Sequence, residues 1–157
     1  MLHTETIDKP TLELLISLQA KDYLRGFCLV GGTALALYFG HRKSLDLDLF
    51  SNFGFDAEML LENIHQDFNF QLYHSASNTL KGHIHQINVD IIAHRYPMVD
   101  KPLSTDQITL LSVKDIVAMK LNAISVSGQR SKDFIDIFYA LRIYPLKDML
   151  DFYRHKY

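Results

Sequence analysis

Residues 31–50 read GGTALALYFGHRKSLDLDLF. Two glycines follow the apolar run 27–30, and 33–39 has the composition of a short helix that ends at Gly40. From 45 to 50 acidic and apolar residues alternate. That predicts a strand with Asp46 and Asp48 on one face and Leu45, Leu47 and Leu49 on the other. Like charges at neighbouring same-face positions repel, and partial burial raises the penalty. A divalent cation removes the conflict, because Mg²⁺ is held by one or two carboxylates plus substrate phosphates. The plainer alternative is an edge strand whose acidic face is solvated.

A third carboxylate shifts the balance. The segment 87–92, Ile-Asn-Val-Asp-Ile-Ile, reads as a core strand yet carries Asp90, which is unfavourable there unless paired or metal-bound. If the two strands are neighbours, Asp46, Asp48 and Asp90 form a cluster able to hold metal ions for phosphoryl or nucleotidyl transfer. Gly31-Gly32-Thr33 lies between a strand and a helix. Glycines admit a ligand close to the backbone, the helix N-terminus favours phosphate, and Thr33 adds a hydroxyl. The turn lacks the Lys of a P-loop and the third glycine of a dinucleotide fingerprint. A dehalogenase-type Asp-x-Asp hydrolase is set aside, because Phe50 stands where that family has Thr.

Helices are expected at about 11–24, behind an Asp56 cap where Leu60, Leu61 and Ile64 are carried, at 113–126, at 131 to about 142 with Ser131 as cap, and at 147–157. Strands are expected at 70–74, 80–84 and 87–93, with His85-Gln86 as a tight turn. The fold class is α+β, with a small mixed β-sheet flanked by helices and a helical C-terminal part. No repeat or linker interrupts the 157 residues, which reads as a single domain 1–157: a core to about 110, then helices over about 111–157 that complete the site. Lys120 shares a helical stripe with Ile116 and Ile124, so it either reaches solvent or faces a phosphate-binding cleft. Asp133 and Asp136 lie on one side of their helix, opposite Phe134, Phe138 and Leu141, and Lys132 with Asp136 could form a surface pair. Arg42 could contact a triphosphate or tie its loop to a carboxylate. His83 and His85 read as hairpin surface, because no zinc-ligand pattern accompanies them.

Net charge is −2, which excludes a uniformly basic nucleic-acid coat but not a local basic groove. Cys28 is the single cysteine and sits among apolar neighbours, which suits an inert thiol in a reducing compartment. No leader pattern and no apolar segment approaching ~20 residues is present, so a cytoplasmic protein with no membrane partner is expected.

The quoted stretch resembles the nucleotidyltransferase superfamily typified by DNA polymerase beta. More closely it resembles the AbiEii/AbiGii toxin family, which has Gly-Gly-Thr-Ala-Leu and an Arg-x-Ser step before Asp-Leu-Asp-Leu-Phe, here Arg42 and Ser44 ahead of Asp46 and Asp48. Lys120, Ala123, Arg130, Lys132, Asp133 and Asp136 fit a second motif, and the resemblance spans about residues 27–141. It implies a nucleotidyltransferase fold and transfer of a nucleoside monophosphate from an NTP, with release of pyrophosphate. Asp46, Asp48 and Asp90 would bind Mg²⁺ (or Mn²⁺), with Asp90 also activating the acceptor hydroxyl. Gly31, Gly32, Thr33, Arg42, Ser44, Lys120, Lys132, Asp133 and Asp136 would line the nucleotide site. The implied partners are an RNA acceptor, tRNA first, and a cognate antitoxin in a toxin–antitoxin or phage-defence system. Two alternatives stand beside this: transfer to a small-molecule or protein hydroxyl, and a shortened copy that binds nucleotide or partner without catalysis.

Overall fold

The computed structural model describes residues 1–105 and 107–157. Its helices are α1 (Lys9–Gln19), α2 (Gly31–Phe39), α3 (Ala57–Asp67), α4 (Val113–Val126), α5 (Ser131–Ala140) and α6 (Leu146–Lys156). Its strands are β1 (Cys28–Val30), β2 (Leu47–Ser51), β3 (Phe70–Ala76), β4 (Thr79–Ile84), β5 (Ile87–Ala93), β6 (Leu103–Thr105) and β7 (Ile108–Leu110). The seven strands form one sheet in the order β3-β4-β5-β2-β1-β7-β6. Pairings β2–β5 and β1–β7 are parallel and the others antiparallel, so the sheet is mixed, as expected, but larger than the small sheet that the sequence suggested. The register sets Asp48 opposite Val30 on one side and Asp90 on the other.

Alternation along the strands builds the core. Leu47, Leu49, Leu80, Ile84, Val89 and Ile91 are completely buried and join Leu15, Leu18 and Ile64 from α1 and α3. A second cluster of Val117, Ala140 and Met149 packs the C-terminal helices together. The Asp8 side chain caps α1 at Thr11 N (2.9 Å), and Asp56 caps α3 at Met59 N (3.0 Å) as expected. His85 (φ 48°) and Gln86 (φ 67°) make the tight turn between β4 and β5.

Several expectations need correction. Helix α2 begins at Gly31, not Thr33, so both glycines lie in its first turn. Strand β2 begins at Leu47, and Leu45 is 56% exposed rather than buried with its neighbours. The Asp46 carbonyl, which would otherwise join the sheet ladder, accepts the Thr33 hydroxyl. The helix expected at 11–24 stops at Gln19, whose side-chain amide bonds both the N–H and the C=O of Thr109 on β7. Arg130, not Ser131, is the N-cap residue of α5. The acids of α5 point inward, whereas Phe134 (50%) and Phe138 (57%) are exposed.

The last turn of α6 carries three basic residues, Arg154, His155 and Lys156, which do not act as one group. Lys156 is buried, and its Nζ bonds Asp115 Oδ1 (2.7 Å) and Pro97 O (3.0 Å), clasping α6 to α4. Asp115 also accepts from Val99 N, Asp100 N and the Ser112 hydroxyl. Cys28 is buried and free, and burial pushes its thiol up to about 11, in keeping with an inert role. No helix among the described residues is long and apolar enough to cross a membrane.

Candidate active site

The nine-residue helix α2 starts at the C-terminal end of β1, and its N-cap residue, Val30, supplies no side-chain cap. Its first N–H groups therefore face outward with the positive end of the helix dipole. Gly31 has φ +73°, and a Cβ there would lie 2.5 Å from Asp48 Oδ2. The phosphate-type turn and the acidic strand thus touch. Burial, followed by the Asp90 and Asp46 charges, pushes the Asp48 carboxyl from 3.8 up to about 6, against the opposing pull of Lys120 and Arg130. Gly31→Ala is expected to cost roughly 1–2 kcal/mol through the left-handed φ and the crowding of Asp48. A thermal melt checks this; an unchanged melting temperature would contradict the close approach.

Asp46 and Asp90 flank Asp48 unequally. Asp46 lies one residue before β2, where Asn88 Nδ2 donates to its Oδ1 (3.2 Å). Asp90 is the direct partner of Asp48 in β5, and its Oδ2 is 3.3 Å from Lys81 Nζ. Among the described residues, no three His, Cys, Asp or Glu groups meet closely enough to form a ready-made cation cage. The donor set, hard oxygens with uncompensated charge centred on Asp48, still suits Mg²⁺, which needs only one or two carboxylates before substrate phosphates complete its coordination.

Around the turn lies a buried ionic network. Asp136 accepts from Arg42 Nε (2.8 Å) and Nη2 (3.0 Å) in a two-pronged pair, from His41 Nε2 (2.6 Å), and from Lys120 Nζ (3.0 Å). Lys120 Nζ also bonds Asp133 Oδ1 (2.7 Å). Burial alone would raise Asp136, but the His41 and Arg42 hydrogen bonds and the Lys120 charge hold it well below the usual carboxylate range. The ionised Asp136 carboxylate only accepts, so His41 Nε2 donates to it; Nδ1 has no partner among the described residues.

Several sequence candidates are thereby placed in supporting roles. Arg42 ties its loop to a carboxylate, and Lys120 borders the cleft with its charge already balanced by two aspartates. Asp136 pairs with these groups and not with Lys132. The Thr33 hydroxyl is buried, giving its proton to Asp46 O and receiving that of Ser44 (2.7 Å), so both hydroxyls brace the loop. Lys132 is exposed beside Gly32 and Asp48, next to Arg130, a residue of the second motif that was not among the expected nucleotide-site residues. Lys120 and Arg42 are offset by Asp133 and Asp136, so Arg130 and Lys132 supply the surplus positive charge at this end.

The profile of the family described as "Nucleotidyl transferase AbiEii toxin, Type IV TA system" matches residues 13–157. The chain belongs to this AbiEii family. An uncharacterized protein of Aquifex aeolicus (strain VF5) is 29% identical over 155 residues, 95% of this chain and 73% of that protein. The antibiotic-resistance factor ANT(2'')-Ia is similar in structure, with a TM-score of 0.69, 14% identity, and coverage of 92% of this chain and 88% of that one. A putative nucleotidyltransferase from H. pylori has a TM-score of 0.57 at 16% identity, covering 90% of this chain and 72% of its own. The Megavirus polyadenylate synthase has a TM-score of 0.58 at 18% identity over 85% of this chain, which spans only 31% of that synthase. At these identities the structural likeness establishes the nucleotidyltransferase fold, and the AbiEii match establishes the enzyme class as nucleotidyltransferase.

In this AbiEii chain Asp48 and Asp90 line a cleft of about 290 Å³ between the sheet and α4, and Asp46 lies outside its lining. Gly31, Gly32 and Arg130 border it, and Phe50, Ile92, Met119, His94 and Tyr157 give it an apolar and aromatic side. His94 Nε2 lies 2.8 Å from the Tyr157 hydroxyl, and burial pushes the imidazole down to about 4, leaving it neutral. Sequence reasoning missed His94, Tyr157 and Lys81. No motif marks them, since β4, the end of β5 and the end of α6 bring them to the cleft only on folding. Asp115 did carry a signal: Ser112-x-x-Asp115 is a helix-start pattern, and the structure shows it as one.

Proposed function

We propose that this cleft binds an NTP with Mg²⁺ (or Mn²⁺) and transfers its nucleoside monophosphate to a hydroxyl of RNA, with tRNA the first acceptor to test. The observation that carries this reading is the contact between the uncapped start of α2 and Asp48, which joins a phosphate-binding element to a cation-binding carboxylate. The α2 N–H groups, Arg130 and Lys132 would hold the triphosphate. Asp48, with Asp46 and Asp90, would hold the cation, which when bound neutralises charge on the phosphates. Positioning and charge stabilisation account for most of the catalysis in such transfers. The acceptor oxygen bonds the α-phosphorus, the α–β bridging bond breaks, pyrophosphate leaves, and the acceptor proton passes to the Asp90 carboxylate.

The RNA acceptor, the action as a toxin, the cognate antitoxin and a role in phage defence all follow from the family resemblance. The solved structure of ANT(2'')-Ia with adenylyl-2''-tobramycin supports the small-molecule alternative. Each α-labelled NTP, incubated with the protein and Mg²⁺ against total RNA, purified protein substrates or small hydroxylated molecules, separates the readings. Label on RNA alone is the expected outcome. Label only on another acceptor would overturn the RNA reading, and no NTP-dependent stabilisation or transfer would favour a non-catalytic module.

A further inference from the structure

Residues 68–89 contain no Asp or Glu but hold Lys81, His74, His83 and His85, three of the chain's eight histidines. In a chain of net charge −2 this is an acid-free stretch with one lysine, and it folds into the hairpin beside Asp90. Lys81 is the register partner of Asp90. Strand β3 is exposed at every position after Phe70. Its pairing with β4 shifts between Leu72 and His74, a bulge at Tyr73 of the kind that redirects a side chain near functional sites. The Tyr73 phenol consequently reaches Asp90 Oδ1 (3.5 Å), and its ring lies 5.2 Å from the His83 ring on the adjacent strand. Tyr73 is 57% exposed. An aromatic pair on neighbouring strands, with Tyr73 exposed and His83 half-buried, flanked by a lysine and touching the carboxylate that would receive the acceptor proton, has no role in the core.

We propose that this face of β3–β4 is the acceptor platform, and that it takes the end of a single-stranded RNA; the proposal rests on the nucleotidyl-transfer reading of the cleft. One base stacks on Tyr73 and His83, the neighbouring phosphate lies by Lys81, and the terminal hydroxyl is delivered to Asp90. Unpaired RNA bases are splayed onto aromatic side chains in this way, whereas a small acceptor is usually enclosed in a concave pocket. The absence of acidic residues along the hairpin complements a polyanion.

Fluorescence anisotropy with a short labelled single-stranded RNA, run without NTP, tests the platform apart from catalysis. Tyr73→Ala and His83→Ala should each raise the RNA Kd, and the KM for RNA, about tenfold. NTP affinity should stay unchanged, and Tyr73→Phe should retain binding. The proposal is overturned if both alanine variants bind RNA as the wild type does, or if the wild type binds no RNA while modifying a protein or small molecule. Failure of the cleft reading itself looks different, because the wild type would then show no NTP binding whatever the anisotropy reports.

Discussion

Asp48→Asn is expected to abolish transfer while making the protein more stable. The carboxylate projects into the cleft from a strand that Leu47 and Leu49 anchor in the core, so its amide changes the site with little disturbance of packing. Loss of the central charge for cation and phosphates should lower kcat by about 10³-fold or more. The stability change has the opposite sign. A carboxyl at about 6 in the folded state, against 3.8 ordinarily, subtracts stability as pH rises from the lower value through the higher one. Without divalent cation, the wild type should therefore melt lower at pH 7.5 than the variant, and this difference should vanish near pH 4. Mg²⁺ should restore the wild type and leave the variant unmoved. A variant that is both inactive and less stable at pH 7.5 would contradict the view of Asp48 as a strained carboxylate.

The second large effect lies behind the cleft. Asp136 is the buried acceptor for Arg42, His41 and Lys120, and its removal strands two cations around one remaining aspartate. Breaking a buried pair in this way typically costs ~3–5 kcal/mol. For a chain of this size that corresponds to a fall in melting temperature on the order of 10 °C for Asp136→Ala. The double variant Arg42→Ala, Asp136→Ala should recover part of the loss, because one stranded charge is gone. A single-variant loss below ~1 kcal/mol, seen in denaturant titration, would show that the network does not hold α5 to the α2 turn.

The parts of the site legible in the sequence were those with a local cause. Alternation along 45–50 and 87–93 exposed Asp48 and Asp90 as acids within apolar strands, and their pairing in parallel register makes the inference physical. Gly31-Gly32 was readable because the chain needs close approach there. Two failures share one origin. Leu45 obeys the alternation but lies outside the strand, because a hydroxyl thirteen residues away, on Thr33, takes the Asp46 carbonyl. Asp133 and Asp136 have the look of surface acids on a helix whose apolar side should face inward, yet Lys120 and Arg42 draw them inside. Long-range partners decide such cases, and period alone does not name them. His94, Tyr157 and the Tyr73 bulge belong to the same class: their neighbours are set by sheet register and helix docking.

The most direct test of nucleotidyl transfer in this cleft compares α-labelled with γ-labelled NTP in the presence of Mg²⁺ and the RNA acceptor. The arrangement of Asp48, Asp90 and the α2 turn predicts that the α-label alone becomes attached to acceptor, that the γ-label leaves in pyrophosphate, and that Asp48→Asn does neither. Appearance of the γ-label on the acceptor, or undiminished α-label transfer by Asp48→Asn, would contradict it.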